Sequence, residues 1–115
     1  MEKISLEYKQ RDIILIPFPF SNQRGAKIRP ALIISNNYFN HSEDIIVSGI
    51  TSNINRDKYT VHFEEKDLEQ KNIKENCCIK VENILKIEKS LIIKKIDSIK
   101  EEPFEKALSI VKDLF

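Results

Sequence analysis

The sequence has no tryptophan, only two glycines and one methionine, and its two cysteines are neighbours, Cys77 and Cys78. Adjacent cysteines cannot close an ordinary disulfide without strain. With no third thiol, a disulfide scaffold is excluded and a reducing cytoplasm is the expected setting. Long hydrophobic runs are also missing. The longest, Ile13–Phe20, has eight residues, two of them proline, whereas a membrane-spanning helix needs about 20. No cationic segment leads into a long apolar run at the N-terminus, so no signal peptide is expected. His41 and His62 stand apart, without a cysteine or carboxylate at metal-ligand spacing, so no metal site is expected. Neither sign of charge dominates: 19 basic and 18 acidic side chains leave a formal charge of +1. Internal repeats, low-complexity tracts and Gly/Ser linkers are absent.

What remains is 115 residues with 41% hydrophobic content. That fits a single domain over 1–115, able to bury roughly 65% of its unfolded surface. The 20 isoleucines, and 15 lysines against 4 arginines, read as codon bias. Periodicity predicts strands over Asp12–Phe18, Pro30–Ser35, Asp44–Thr51 and Lys58–Glu64, with Tyr59, Val61 and Phe63 on one face of the last and His62 on the other. Ser21–Ile28 reads as a loop and Glu65–Asn76 as a loop or helical turn. Cys77–Glu82, Ile84–Ile87 and Leu91–Ile96 read as further short strands. Glu101–Phe115 places Phe104, Ala107, Leu108, Val111 and Phe115 at helical spacing. Pro103 suits a first helical turn, and Glu101, Glu102 and Glu105 suit its positive end. The order predicts a mainly β (α+β) fold, a small β-barrel with a C-terminal α-helix.

The neutral total hides an asymmetry. No acid occurs between Ile13 and Ser42, while Arg24, Lys27 and Arg29 all do. Clustered cations attract phosphate, and arginine offers a planar fork of donors. A solvated loop is the bland alternative, but Arg29 precedes Pro30, which biases it to extended geometry. Thr51, Ser52 and Asn53 close the third strand, as a donor set or as ordinary turn chemistry. Lys80 and Glu82 share a strand face, with Asn83 following, as a solvent-facing charge pair or as an acid and base beside a phosphate.

Taken in order, Asp12-Ile-Ile-Leu-Ile-Pro-Phe-Pro-Phe-Ser21, Lys27-Ile-Arg-Pro-Ala-Leu-Ile-Ile-Ser-Asn36, Ile50-Thr-Ser-Asn53 and Cys78-Ile-Lys-Val-Glu-Asn83 resemble the PemK/MazF toxin family of type II toxin–antitoxin modules. Ile87-Glu-Lys-Ser-Leu-Ile-Ile-Lys-Lys-Ile96 and the terminal helix follow in the family's order. The resemblance implies an SH3-like or CcdB-like barrel, a homodimer, and a cognate antitoxin lying across an RNA groove. It implies an endoribonuclease that cuts single-stranded RNA at short sequences, without metal or other cofactor. Carried over by position, Arg29 matches the catalytic arginine, Thr51 the catalytic hydroxyl, and Glu82 an acid–base group. Arg24, Lys27, Ser52, Asn53, Lys80 and Asn83 are then RNA-binding candidates, and Phe18, Phe20 and Tyr38 candidate stacking surfaces, at least one of them expected in the core. The sequence departs from the family where Arg11 and Asp97 replace glycines, both read as backbone-conformation positions, and where Glu82-Asn83 replaces Asp-Gln. A gyrase inhibitor of the same fold and a non-catalytic binding barrel remain as other classes.

Overall fold

The computed structural model describes residues 7–19, 26–54 and 57–115. Six strands form one antiparallel sheet: β1 (Asp12–Pro19), β2 (Ala26–Ile33), β3 (Asp44–Thr51), β4 (Thr60–Phe63), β5 (Cys77–Glu88) and β6 (Lys94–Ser98). Their order across the sheet is β4-β5-β3-β2-β1-β6. Helix α1 (Glu101–Asp113) follows and packs on β4 and β5. The sheet curls until the segments beside its two edge strands meet. Leu68, after β4, bridges Ile99, after β6. The Glu69 N–H donates to the Ser98 carbonyl at 2.9 Å and the Lys100 N–H to the Asp67 carbonyl at 2.8 Å. The expected small barrel with a terminal helix is thus a curled half-barrel.

Curling creates two apolar layers. The inner one gathers Ile13, Leu32, Ile50, Phe63, Ile79 and Val81 with Phe104 and Ala107 of α1. The outer one gathers Ile14, Ile16, Ala31, Ile33, Ile45 and Val47. A strand buried on both faces reads as a continuous apolar run, not as an alternation. That accounts for Ile13-Ile14-Leu15-Ile16 and Ala31-Leu32-Ile33-Ile34. Strand β4 has one open face, and there Val61 and Phe63 are buried while His62 is exposed. Burying Phe104 contributes roughly 2–3 kcal/mol. The helix ends at Asp113, so Phe115 falls outside the predicted apolar stripe and is 96% exposed.

Three further boundaries differ from expectation. Strand β2 starts at Ala26, so Ala26–Ile28 belong to a strand and not to the Ser21–Ile28 loop. Pairing with β1 extends it, through Pro17↔Ile28, Phe18↔Lys27 and Pro19↔Ala26. Cys77–Glu82 and Ile84–Ile87 are one strand, β5, bent by a bulge. Gly49 pairs with Lys80 and Ser48 with Ile84, leaving Val81, Glu82 and Asn83 without partners on β3. Strand β6 begins only at Lys94, because Lys89–Leu91 forms a 3-10 turn.

The two replaced glycines separate into different cases. Arg11 has φ 83°, a left-handed conformation. Its N–H donates to the Ile33 carbonyl and its carbonyl accepts from Ile99, and those two bonds hold it there at a cost of about 1–2 kcal/mol. Asp97 has no positive φ and is not a backbone-conformation position. It is fully buried, and its carboxylate accepts from the N–H groups of Gln70, Asn72 and Ser98 at 2.7–2.9 Å. It thereby secures the turn around Lys71, whose φ is 59°. Asp97→Ala is expected to cost about 3 kcal/mol or more, from hydrogen bonds to a charged acceptor. A lower urea midpoint would show this, and an unchanged midpoint would contradict it.

Cys77 is nearly buried, and burial, with smaller contributions from Glu75 and Cys78, raises its thiol from 9.0 to about 11. The folded value exceeds the unfolded one, so the neutral thiol's contribution to stability is complete below pH 9 and is lost as pH rises towards 11. Comparing the urea stability of wild type and Cys77→Ala across that window should show the extra loss only in wild type. Parallel profiles would contradict it.

Candidate active site

Period two places Lys27, Arg29, Ala31 and Ile33 on one face of β2. On β1, Ile16 pairs with Arg29 and Phe18 with Lys27. The β2–β3 ladder runs from Ile33–Val47 to Ala31–Gly49, and Arg29 and Thr51 follow two residues beyond its last pair, on the face of Ala31 and Gly49. Across the next strand Thr51 pairs with Cys78, and Cys78 in turn with His62 of β4. A transverse row therefore runs Thr51, Cys78, His62, with Arg29 on the strand beside Thr51. The neighbouring row runs Ala31, Gly49, Lys80, Thr60. Adjacent strands lie about 4.8 Å apart, so residues far apart in sequence become side-by-side neighbours.

Gly49 is needed for close approach. A Cβ there would come within 3.2 Å of the Phe18 ring and 3.6 Å of the Asn83 Cβ. Phe18 is thus partly buried, packed against the outer layer, and its ring covers Gly49. Tyr38 is 88% exposed but precedes β3, whereas Thr51 ends it. Eight strand residues separate those ends by roughly 24 Å, so Tyr38 is not brought to the row. Phe20 lies outside the described residues, as does Arg24.

Where β2 begins and β3 ends, a cavity of about 250 Å³ opens. Lys27, Arg29, Thr51 and Ser52 are in its wall, together with Ile50, Ile73, Cys77 and Ile96 of the inner layer. Arg29 is half-buried and its Nε is shielded from solvent, while Lys27 is exposed. The Thr51 hydroxyl accepts the Asn53 N–H at 3.0 Å. The turn chemistry read from Thr51-Ser52-Asn53 is therefore real, and it orients the hydroxyl without using its proton. Ser52 and Asn53 are exposed at this end.

Lys80, Glu82 and Asn83 sit further along the same side, at the β5 bulge. Lys80 Nζ lies 3.4 Å from Glu82 and 3.7 Å from Asp57. The two strand neighbours are thus a charge pair, and Asp57 joins them. Cys78 is buried and occupies the row beside Thr51. His41 lies elsewhere, in a cavity of about 280 Å³ with Asn40 and Lys89. Among the described residues no three His, Cys, Asp or Glu side chains group so as to hold a metal ion, and no helix is long and apolar enough to cross a membrane.

Comparison with known proteins bears on this geometry. A search of curated proteins finds no match. Among solved structures, MazF from Deinococcus radiodurans superposes with a TM-score of 0.76 at 12% identity, covering 96% of this chain and 97% of that one. An endoribonuclease from Mycobacterial species gives 0.75 at 14% identity, covering 96% and 93%. An endoribonuclease in complex with its cognate antitoxin, also from Mycobacterial species, gives 0.73 at 15% identity, covering 92% of each chain. At such identities the likeness is one of fold. The family model for the PemK-like, MazF-like toxin of type II toxin–antitoxin systems matches residues 9–115. The chain belongs to that family.

Proposed function

We propose that this protein is the toxin of a type II toxin–antitoxin pair and a sequence-specific endoribonuclease acting on single-stranded RNA. The observation that carries the reading is the β2–β3 pairing, which places Arg29 and Thr51 on adjacent strands and one face, each two residues beyond the Ala31–Gly49 pair. Family membership supports it, as does a fold shared with structures described as endoribonucleases.

RNA carries its own nucleophile. The 2′-hydroxyl attacks the adjacent phosphorus, the P–O5′ bond breaks, and a 2′,3′-cyclic phosphate and a 5′-hydroxyl remain. No metal is required for this step. The enzyme must stabilise the charge that builds on the non-bridging phosphoryl oxygens and move two protons. Arg29 supplies parallel N–H donors to those oxygens and stays protonated throughout. Thr51 donates its remaining proton to one of them, its oxygen already oriented by Asn53. Lys27 and Arg24 hold flanking phosphates, with Ser52 and Asn53 at the rim. Glu82 is the acid–base group that the family pattern assigns, its carboxylate beside Lys80, and Lys80 and Asn83 contact the RNA one row away. The chain works as one domain and a homodimer in the cytoplasm. A cognate antitoxin occupies the RNA groove, as a partner for which the antitoxin-bound neighbour is the precedent.

Arg29→Ala and Arg29→Lys, checked for native circular dichroism, test this with a mixed single-stranded RNA. Loss of one preorganised donor costs roughly 100–1,000-fold in rate. Both variants are expected to lose that much, because lysine keeps the charge but not the fork. Wild-type cleavage by Arg29→Ala would overturn the assignment. Intact RNA with wild type would favour a non-catalytic binder or a protein-directed inhibitor.

A further inference from the structure

We propose that the His62 ring is a stacking platform for a nucleotide that flanks the cut in bound RNA. The inference rests on the RNA-cleavage reading and names a further contact on the same surface. Residues directly opposite each other in an antiparallel pair point to one side of the sheet. Thr51 pairs with Cys78, and Cys78 with His62. Thr51 and His62 therefore stand on the same outer face, two strands apart. Two strand spacings separate them by about 10 Å. His62 is thus too far to touch a phosphate held by Arg29 and Thr51, but lies where the neighbouring part of the strand passes.

The face is open in this direction. Between Thr51 and His62 lies Cys78, short and buried, so the row has a floor and not a ridge. The next row carries Lys80 and Thr60, paired with each other and half-buried, a cation and a hydroxyl beside the same path. The acids on this side, Glu82 and Asp57, are paired with Lys80. Glu64, two residues beyond His62, turns its carboxylate to the Asp67 N–H in a capping box. In the opposite direction β1 presents Ile16, which is buried, and Phe18, whose ring lies against Gly49. RNA that leaves Arg29 and Thr51 along this face runs over β5 towards β4.

Single-stranded RNA is held by stacking of its bases as well as through its phosphates. The described rings read as stacking surfaces are not placed for that. Phe18 is packed on the outer layer, and Tyr38 lies at the far end of β3. Tyr59 alternates with His62 and falls with Val61 and Phe63 on the other face of β4. His62 is exposed, flat, and fixed on a strand of the face that carries Arg29 and Thr51. Every base has a π-face, so this contact strengthens binding without selecting a sequence.

The test uses the full chain and a single-stranded RNA that wild type cuts, made uncleavable by 2′-deoxyribose at the cut nucleotide. His62→Ala should weaken binding about 10-fold. His62→Phe should bind as wild type does, because it keeps a ring. Trimming the RNA from one end, but not from the other, should erase the difference between wild type and His62→Ala. With cleavable RNA and saturating protein, His62→Ala should cut at the wild-type rate. Circular dichroism checks that both variants fold, as expected for an exposed position. The proposal is overturned if His62→Ala binds as tightly as wild type, if His62→Phe loses as much as His62→Ala, or if the saturating rate falls with the affinity. Wild type that neither cuts nor binds RNA overturns the RNA-cleavage reading itself, and the proposal with it, which is a different result.

Discussion

The antiparallel register shared by β2, β3 and β5 is the constraint on which the site depends. Side chains alternate with period two, so a slip of one residue would turn Arg29 to the inner layer and bring Ile28 or Pro30 out. Burial on both sheet faces resists such a slip. Leu32 and Ile33 each fill a separate apolar layer, and exchanging them would disrupt both. The β5 bulge sets a second reference point. Ser48 Oγ donates to the Val81 carbonyl at 3.1 Å inside the core, and Gly49 admits the Phe18 ring. Together they determine which residues of β5 fall beside Thr51.

Electrostatics follow from that frame. A formal charge of +1 over the chain excludes a protein that coats a polyanion, but not one that grips a few phosphates. Residues 13–42 contain cations and no acids, and pairing along β1 sets Lys27 and Arg29 two residues apart on one face. The acids come from elsewhere in the chain, Glu82 and Asp57 beside Lys80. Groups fixed by folding do not have to reorganise when charge develops, and that is the main source of electrostatic catalysis.

Much of this was legible in the sequence. The β3 boundaries, the alternation of β4 and the α1 stripe from Phe104 to Val111 carry clear periodicity, and the Arg29-Pro30 and Thr51-Ser52-Asn53 patterns mark the two strands that meet. What stayed hidden depends on tertiary pairing. The start of β2 is set by its partner β1, not by its own polar residues. The β5 bulge leaves no local signal beyond ordinary apolar pieces either side of Glu82-Asn83. Asp97 looked like a lost glycine because a buried carboxylate's donors, Gln70 and Asn72, lie more than twenty residues upstream.

The central claim is that Arg29 and Thr51 are brought to adjacent strands on one face to support attack by an RNA 2′-hydroxyl. The most direct measurement is the chemistry of the ends produced when purified protein meets a mixed single-stranded RNA in EDTA. The account predicts discrete cuts at a recurring short sequence, each leaving a 2′,3′-cyclic phosphate and a 5′-hydroxyl. Intact RNA, or ends carrying a 5′-phosphate, would contradict it.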